Sequence, residues 1–254
     1  MKVTIIQLDI EWGSPDENIR RVESLMDSEP NSDLYVLPEM WSTGFVVIPD
    51  NVVENEANSV ALQWMRKVAR KRNCAISGSI AVSIDGSYRN RHYFIDGHTG
   101  SEHYYDKHHL FSYGGENKYF KPGKEHTIVN YNGFSFLLLT CYDLRFPLWI
   151  RYADSLKYDA IICVANWPEK RQNAWQSLIR ARAIENQAFF IGCNRVGNDS
   201  ISHYCGDSAI INPNGFTMKS CQPNMEEAVS CDLNIDEVRN IRLKYRFLDD
   251  RDSY

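Results

Sequence analysis

With 254 residues, 43% of them apolar and 24% charged, the chain has ordinary globular composition and the length of one large domain or two small ones. Its 28 Lys and Arg against 33 Asp and Glu leave a net charge of −5, which argues against a general nucleic-acid or anionic-membrane binder. No stretch approaches the ~20 apolar residues a membrane-spanning helix needs, and Gln7 and Asp9 interrupt the apolar start in a way that a secretory leader would not.

Residues 3–8 read as the first strand. Ser14 is placed to cap a helix that Pro15 opens, and Glu17 holds the capping-box position. Ile19, Val22, Leu25 and Met26 give that helix an apolar stripe. Residues 34–37 form a short apolar run, as in a strand buried on both faces. Ala61, Trp64, Met65, Val68 and Ala69 recur at helical spacing. Two strands, 74–82 and 88–95, flank the hairpin signal Asp85-Gly86.

A similar order then recurs. Residues 134–140 read as a strand, and Pro147 opens a helix carrying Trp149, Ile150, Ala153 and Leu156. Residues 160–165 form a buried strand, 172–186 a long helix, and 188–194 and 206–211 two further strands. Asn212-Pro213-Asn214-Gly215 is a turn. Asp33 and Asp159 each precede an apolar run that ends in a polar loop. Each half thus runs strand, helix, strand, helix, strand, strand. Two such halves predict one α/β domain over 1–254, a four-layer α-β-β-α sandwich of two internally similar halves. An open doubly wound sheet satisfies the same periodicity, and strand order is not set by it.

Ligands of open α/β sheets gather beyond the carboxyl ends of strands. Glu39 follows the second strand, where a carboxylate acts as a general base or bonds to backbone or an Arg. Lys107 sits in "YYDKHHLF", between aromatic and apolar neighbours that suggest burial. A buried Lys there orients a carboxylate or places charge beside a thiolate, whereas an exposed one is a solvated charge. His108 and His109 are sequence neighbours, which rarely chelate one ion, and His203 with Cys205 supplies too few ligands for zinc. Seven cysteines, none in a CxxC pair, fit a reduced, cytoplasmic protein. Cys141 ends a strand just before a helix, the position of a nucleophile elbow. The Tyr142 amide would face an oxyanion there, and the helix start would favour thiolate. Cys163, inside an apolar strand, reads as a small buried hydrophobe.

Pro38-Glu39, then Lys107 in "YDKHHLF", then Cys141 in "LTCYDLRFP" resemble, in that order, the nitrilase superfamily of carbon–nitrogen hydrolases. The resemblance runs from "IIQLDIEWGSPDENI" to "GDSAIINPNG". Through "ANWPEKR" and "RARAIENQAFFIGCNRVG" it is closest to the ω-amidase branch, whose members deaminate 2-oxoglutaramate and similar dicarboxylic acid monoamides. It implies a Glu39-Lys107-Cys141 triad, no cofactor, no metal, a small amide substrate and a homodimer joined through the flanking helices. "GGENKYFKPG" resembles the segment holding a second family glutamate, here Glu116, which would orient substrate or the lysine.

An ω-amide substrate carries a distal carboxylate. Arg145 and Arg195, just beyond predicted strand ends, are the candidates to bind it, although Asp143 is an equally good partner for Arg145. Trp167 and Phe45 either wall the pocket or pack as core and rim. Residues 240–254, charged and aromatic, form a tail that crosses a dimer partner or lies in solvent. The resulting expectation is a cysteine amidase for small ω-monoamides. The alternatives are a nitrilase or N-carbamoyl amidohydrolase on the same triad, or a non-catalytic binding subunit of the same fold.

Overall fold

The computed structural model describes residues 1–49 and 52–252, so Ser253 and Tyr254 of the tail lie outside the described residues. In chain order the strands are β1 (Lys2–Gln7), β2 (Leu34–Val36), β3 (Glu54–Asn55), β4 (Ala75–Ile84), β5 (Ser87–Asp96), β6 (Glu102–Asp106), β7 (Ile128–Tyr131), β8 (Phe134–Thr140), β9 (Ala160–Ala165), β10 (Phe189–Asn194), β11 (Val196–Asn198), β12 (His203–Cys205), β13 (Ala209–Ile211), β14 (Thr217–Ser220) and β15 (Glu227–Asp232). The helices are α1 (Pro15–Ser28), α2 (Val60–Arg72), α3 (Pro147–Ile150), α4 (Gln172–Asn186) and α5 (Ile235–Tyr245).

The first sheet has the order β15-β1-β2-β4-β5-β6, with β1, β2 and β4 parallel and antiparallel neighbours on either side; β3 pairs with β4. The second repeats the plan as β7-β8-β9-β10-β13-β14, with β8, β9 and β10 as its parallel centre. The paired aspartates show why the halves match. Asp33 accepts from the Lys2 amide through Oδ2, donates its own amide to the Lys2 carbonyl, and accepts from the Ala75 amide. Asp159 makes the same three bonds, to Ser135 twice and to Phe189. Each aspartate therefore sets the register of three adjacent parallel strands.

Side chains alternate across each strand. In β1, Val3 and Ile5 point into a core between the sheets, where they meet Phe94, Phe136, Leu138 and Ile191. Ile6 points the other way, to Val22 and Met26 of α1 and Met65 of α2. On the second sheet Leu137, Ile161 and Phe190 bury against Trp175, Ile179 and Ala183 of α4. These three cores define the four layers α-β-β-α. Fully burying each such side chain contributes ~1.5–3 kcal/mol.

Local expectations were met unevenly. Asp85 and Gly86 both take positive φ (47° and 70°), as a type I′ hairpin turn requires. Ser14 does begin α1, but its side chain caps nothing, and Glu17 pairs instead with Arg20 and Arg21. The helix at Pro147 stops after Ile150, because Arg151 and Tyr152 turn away to bond the Glu185 carbonyl and the Asn186 side chain at the end of α4. Ala153 and Leu156 then pair as an isolated β-bridge. The strand expected over 206–211 shortens to β13, since Gly206 and Asp207 adopt left-handed backbone (φ 85° and 59°). Residues ahead of it form the unexpected ribbon β11–β12. All seven cysteines are free, and no described helix is long and apolar enough to cross a membrane.

His92 joins the two sheets from within. Its Nδ1–H donates to the Leu139 carbonyl at 3.0 Å, and Nε2 accepts from the Ser77 hydroxyl at 2.8 Å. Burial pushes its pKa down to about 4, against 6.5 normally. The folded state therefore holds His92 neutral where the unfolded state would protonate it. Its stabilising effect is complete above pH 6.5 and is lost as pH falls toward 4, by about 3 kcal/mol. Denaturant unfolding at pH 7 and 4.5 should show a steeper loss in wild type than in His92→Gln. Parallel losses would assign the acid sensitivity elsewhere.

Candidate active site

The sheet ends place the predicted groups side by side. Glu39 lies three residues beyond β2, and the chain turns sharply after it: Met40 has φ 44° and its amide donates to Ser79 Oγ. Lys107 follows β6 directly and is held against β5 by its amide bond to the Asn90 carbonyl at 3.0 Å. Cys141 follows β8 and starts a single 3-10 turn, Cys141–Arg145, with φ 47°. A non-glycine residue in left-handed backbone carries strain of ~1 kcal/mol or more, as at a nucleophile elbow.

Glu39, Lys107 and Glu116 are each at most 1% exposed. The Lys107 ammonium donates to Glu39 Oε1 at 2.8 Å and to Glu116 Oε2 at 2.9 Å. Two residues that sequence reasoning missed complete the cluster. The Asn90 side chain donates to Glu39 Oε1 at 2.7 Å and to Glu116 Oε1 at 3.1 Å. The Asn166 amide donates to Glu39 Oε2 at 2.9 Å, and its side chain to the Glu39 carbonyl. Glu116 also accepts from the Phe111 amide at 2.6 Å. It is thus a partner of the lysine within the cluster and, like Glu39 and Lys107, lies behind the residues that line the cavity beside Cys141.

Burial alone would strip the proton from Lys107, but Glu116 and Glu39 outweigh it and hold the pKa well above the usual lysine value. Burial, opposed by Lys107 and reinforced by Glu39, raises the Glu116 carboxyl. For Cys141, burial and then the Glu39 charge push the thiol well up, and Lys107 offsets this only in part. Burial and the Glu39 charge thus oppose the thiolate that a helix start would favour, and α3 is only one turn long. Cys163, fully buried, is also pushed up by burial, but only Cys141 of the two borders a cavity.

That cavity, of about 420 Å³, is lined by Cys141, Tyr142, Arg145, Trp167, Phe45 and Phe111 among others. Trp167 is fixed from behind, its amide bonded to Asn194 Oδ1 and its indole N–H to the Arg171 carbonyl. Phe45 lies 5.4 Å from the Lys107 ammonium. The Arg145 guanidinium sits 4.8 Å over the Trp167 ring. The alternative pairing with Asp143 does not form, because Tyr105, His109 and the Thr140 amide take up that carboxylate. No ion pair engages Arg145 among the described residues. Arg195 is not at the cavity. Its buried guanidinium bonds to the Val196 and Ile10 carbonyls and packs on Tyr204, so it braces the wall from behind. His108 and His109 stack on Trp149 and Phe146 respectively, each at 3.6 Å. Among the described residues no group of three or more His, Cys, Asp or Glu is arranged to hold a metal ion.

Comparison with known proteins finds relatives over the whole length of the chain. The sequence profile of the carbon-nitrogen hydrolase family matches residues 2–243. Omega-amidase YafV of Escherichia coli (strain K12) is 36% identical over 255 residues, covering 100% of this chain and 98% of that protein. A 2-oxoglutaramate amidase of Bacillus subtilis (strain 168) is 34% identical over 255 residues, covering 98% of each. The crystal structure of XC1258 from Xanthomonas campestris, a CN-hydrolase superfamily protein with an arsenic adduct in its active site, superposes with a TM-score of 0.94. It is 32% identical, over 100% of this chain and 98% of that one.

Proposed function

The chain belongs to the carbon–nitrogen hydrolase family, and from that premise we propose that it hydrolyses the ω-amide of small dicarboxylic acid monoamides such as 2-oxoglutaramate or succinamate. The observation that carries the reading is Cys141 at the foot of a cavity, backed by the buried Glu39–Lys107 pair, with the unpaired Arg145 on the same wall. Lys170 and Arg171 line the cavity with Arg145. Among the described residues its one acid is Asp199, which is occupied by the Ile201 and Ser202 amides and the Tyr204 hydroxyl. A cavity with this charge favours an anionic amide.

In the proposed sequence Glu39 takes the Cys141 proton as Sγ bonds to the amide carbon. The oxyanion rests on the Tyr142 amide and the Lys107 ammonium, and losing one such donor typically costs about 3 kcal/mol of barrier. The tetrahedral adduct collapses, Glu39 passes its proton to the departing nitrogen, and ammonia leaves a thioester. Water then gives Glu39 a proton as its oxygen attacks the thioester carbon. Cys141 recovers that proton when the C–S bond breaks. Because Lys107 stays charged and Cys141 rests as a thiol, the cycle begins and ends in the same protonation state. Nothing in it requires a cofactor.

Ammonia release from 2-oxoglutaramate and succinamate, beside glutamine, a simple nitrile and an N-carbamoyl amino acid, tests the reading. Turnover of the last two without the first two would move the chain to another reaction of the family. Arg145→Leu should lower kcat/KM for succinamate roughly 30- to 100-fold, the loss of one charge-assisted contact. It should leave butyramide, which lacks the carboxylate, within about threefold; an equal loss on both would remove Arg145 from carboxylate binding. The same reading includes a single domain that pairs as a homodimer. Leu243 on α5 and Phe247 beyond it are 76% and 60% exposed and offer an apolar face. A solution mass of one chain would overturn the pairing.

A further inference from the structure

Behind the cavity, one buried carboxylate joins the two segments that bear the charged lysine and the thiol. Asp143 is fully buried and belongs to the turn that Cys141 begins. Its Oδ2 accepts from the Thr140 amide at 3.1 Å, at the entry to that turn, and from the Tyr105 hydroxyl at 2.8 Å. Its Oδ1 accepts from the His109 amide at 2.8 Å and from His109 Nδ1 at 2.9 Å. Tyr105 and His109 stand two residues before and two after Lys107. Thr140 immediately precedes Cys141. The Lys107 segment extends the first sheet and the Cys141 turn extends the second, so no backbone ladder aligns them. Trp149 donates its indole N–H to the Tyr105 hydroxyl and stacks on His108, and His109 stacks on Phe146. The stacked contacts hold the segments together but permit sliding; the three hydrogen bonds that Asp143 accepts from Tyr105 and His109, with the Trp149 bond to Tyr105, do not.

We propose that Asp143 is a positioning residue that fixes the Lys107 ammonium against the Cys141 thiol by clamping the lysine segment to the nucleophile turn. The inference rests on the roles proposed above for Cys141 and Lys107. Its main readout needs no amide substrate, so its failure is distinguishable from failure of the amidase reading.

The test is Asp143→Asn, with alkylation of Cys141 by iodoacetamide followed by mass across pH. The amide matches the carboxylate in size but turns an NH₂ toward donors that had an oxygen to bond, so part of the clamp opens. The charged groups that face Cys141 are Glu39 and Lys107, with the Cys163 thiol beyond. Of these only Lys107 favours the thiolate. Drawing it away should move the alkaline limb to higher pH and slow neutral-pH alkylation about tenfold, and loss of alignment should lower kcat roughly 30- to 100-fold with KM within about threefold. General loosening has the opposite signature, because a Cys141 that gains solvent returns toward an ordinary thiol and alkylates faster. Unchanged or faster alkylation in Asp143→Asn overturns the proposal. His109→Ala removes one bond at a half-buried site and keeps the backbone bond. It should move alkylation and kcat in the same directions by about threefold, and decides the matter if Asp143→Asn does not fold; unchanged rates there reject the clamp.

Discussion

Cys141→Ala is expected to keep its fold and lose about 10⁴-fold or more in kcat, because among the described residues Cys141 is the one lining side chain that the proposed base Glu39 can activate to form the covalent intermediate. The fold should tolerate the change for local reasons. The Cys141 side chain borders the cavity, so removing Sγ opens no void in a packed core. Its left-handed backbone strains alanine no more than cysteine. Its contact with the Asn166 carbonyl is a long one, at 3.9 Å. A thermal midpoint near wild type together with abolished ammonia release is the expected pair of results. Residual activity within tenfold of wild type would sink the nucleophile assignment.

Glu39→Gln should separate two rates that ordinarily move together. Amide turnover should fall roughly 10²- to 10⁴-fold, since a neutral amide cannot take the thiol proton or return it to the leaving nitrogen. Alkylation of Cys141 at neutral pH should rise. Glu39 is, after burial, the main influence that holds the thiol up, and Lys107 opposes it. Removing the carboxylate charge while the ammonium stays on Glu116 tips Cys141 toward thiolate. The substitution also brings a side-chain NH₂ against the Asn166 amide or against Lys107 and Asn90, at a penalty of about 1–3 kcal/mol in stability. Turnover and alkylation falling in parallel would make Glu39 a structural carboxylate.

The repeat was legible because parallel strands buried on both faces leave continuous apolar runs, and because an aspartate precedes each middle strand. Glu39, Lys107 and Cys141 stood out as candidates because each follows a strand end, but it was the family resemblance that joined them as a triad. Their partners were not legible. Asn90 sits in mid-strand and Asn166 in a loop, and an asparagine in either place is common; only strand order brings them within reach of Glu39. Asp143 was visible solely as a neighbour of Arg145, although its partners come from a segment more than thirty residues earlier. Arg195 was misplaced because the end of β10 marks a depth in the sheet but not the side from which a long side chain leaves it. The balance of influences on the thiol was out of view for a related reason. A helix start was visible in Pro147, while the burial that outweighs it is a property of the assembled sandwich.

Glu39, Asn90, Lys107 and Glu116 belong to the first half of the chain, and Cys141 and Asn166 to the second. Neither sheet alone owns the reactive constellation; it exists at the seam where the two come together. A partly unfolded species with both sheets intact but undocked would keep nearly all of its strand content and have no chemistry. Its Cys141 would be an ordinary free thiol, open to oxidation and parted from Glu39, its proposed base. Activity in this architecture is accordingly a more sensitive gauge of docking than any spectroscopic signal of secondary structure, and on heating it should disappear first.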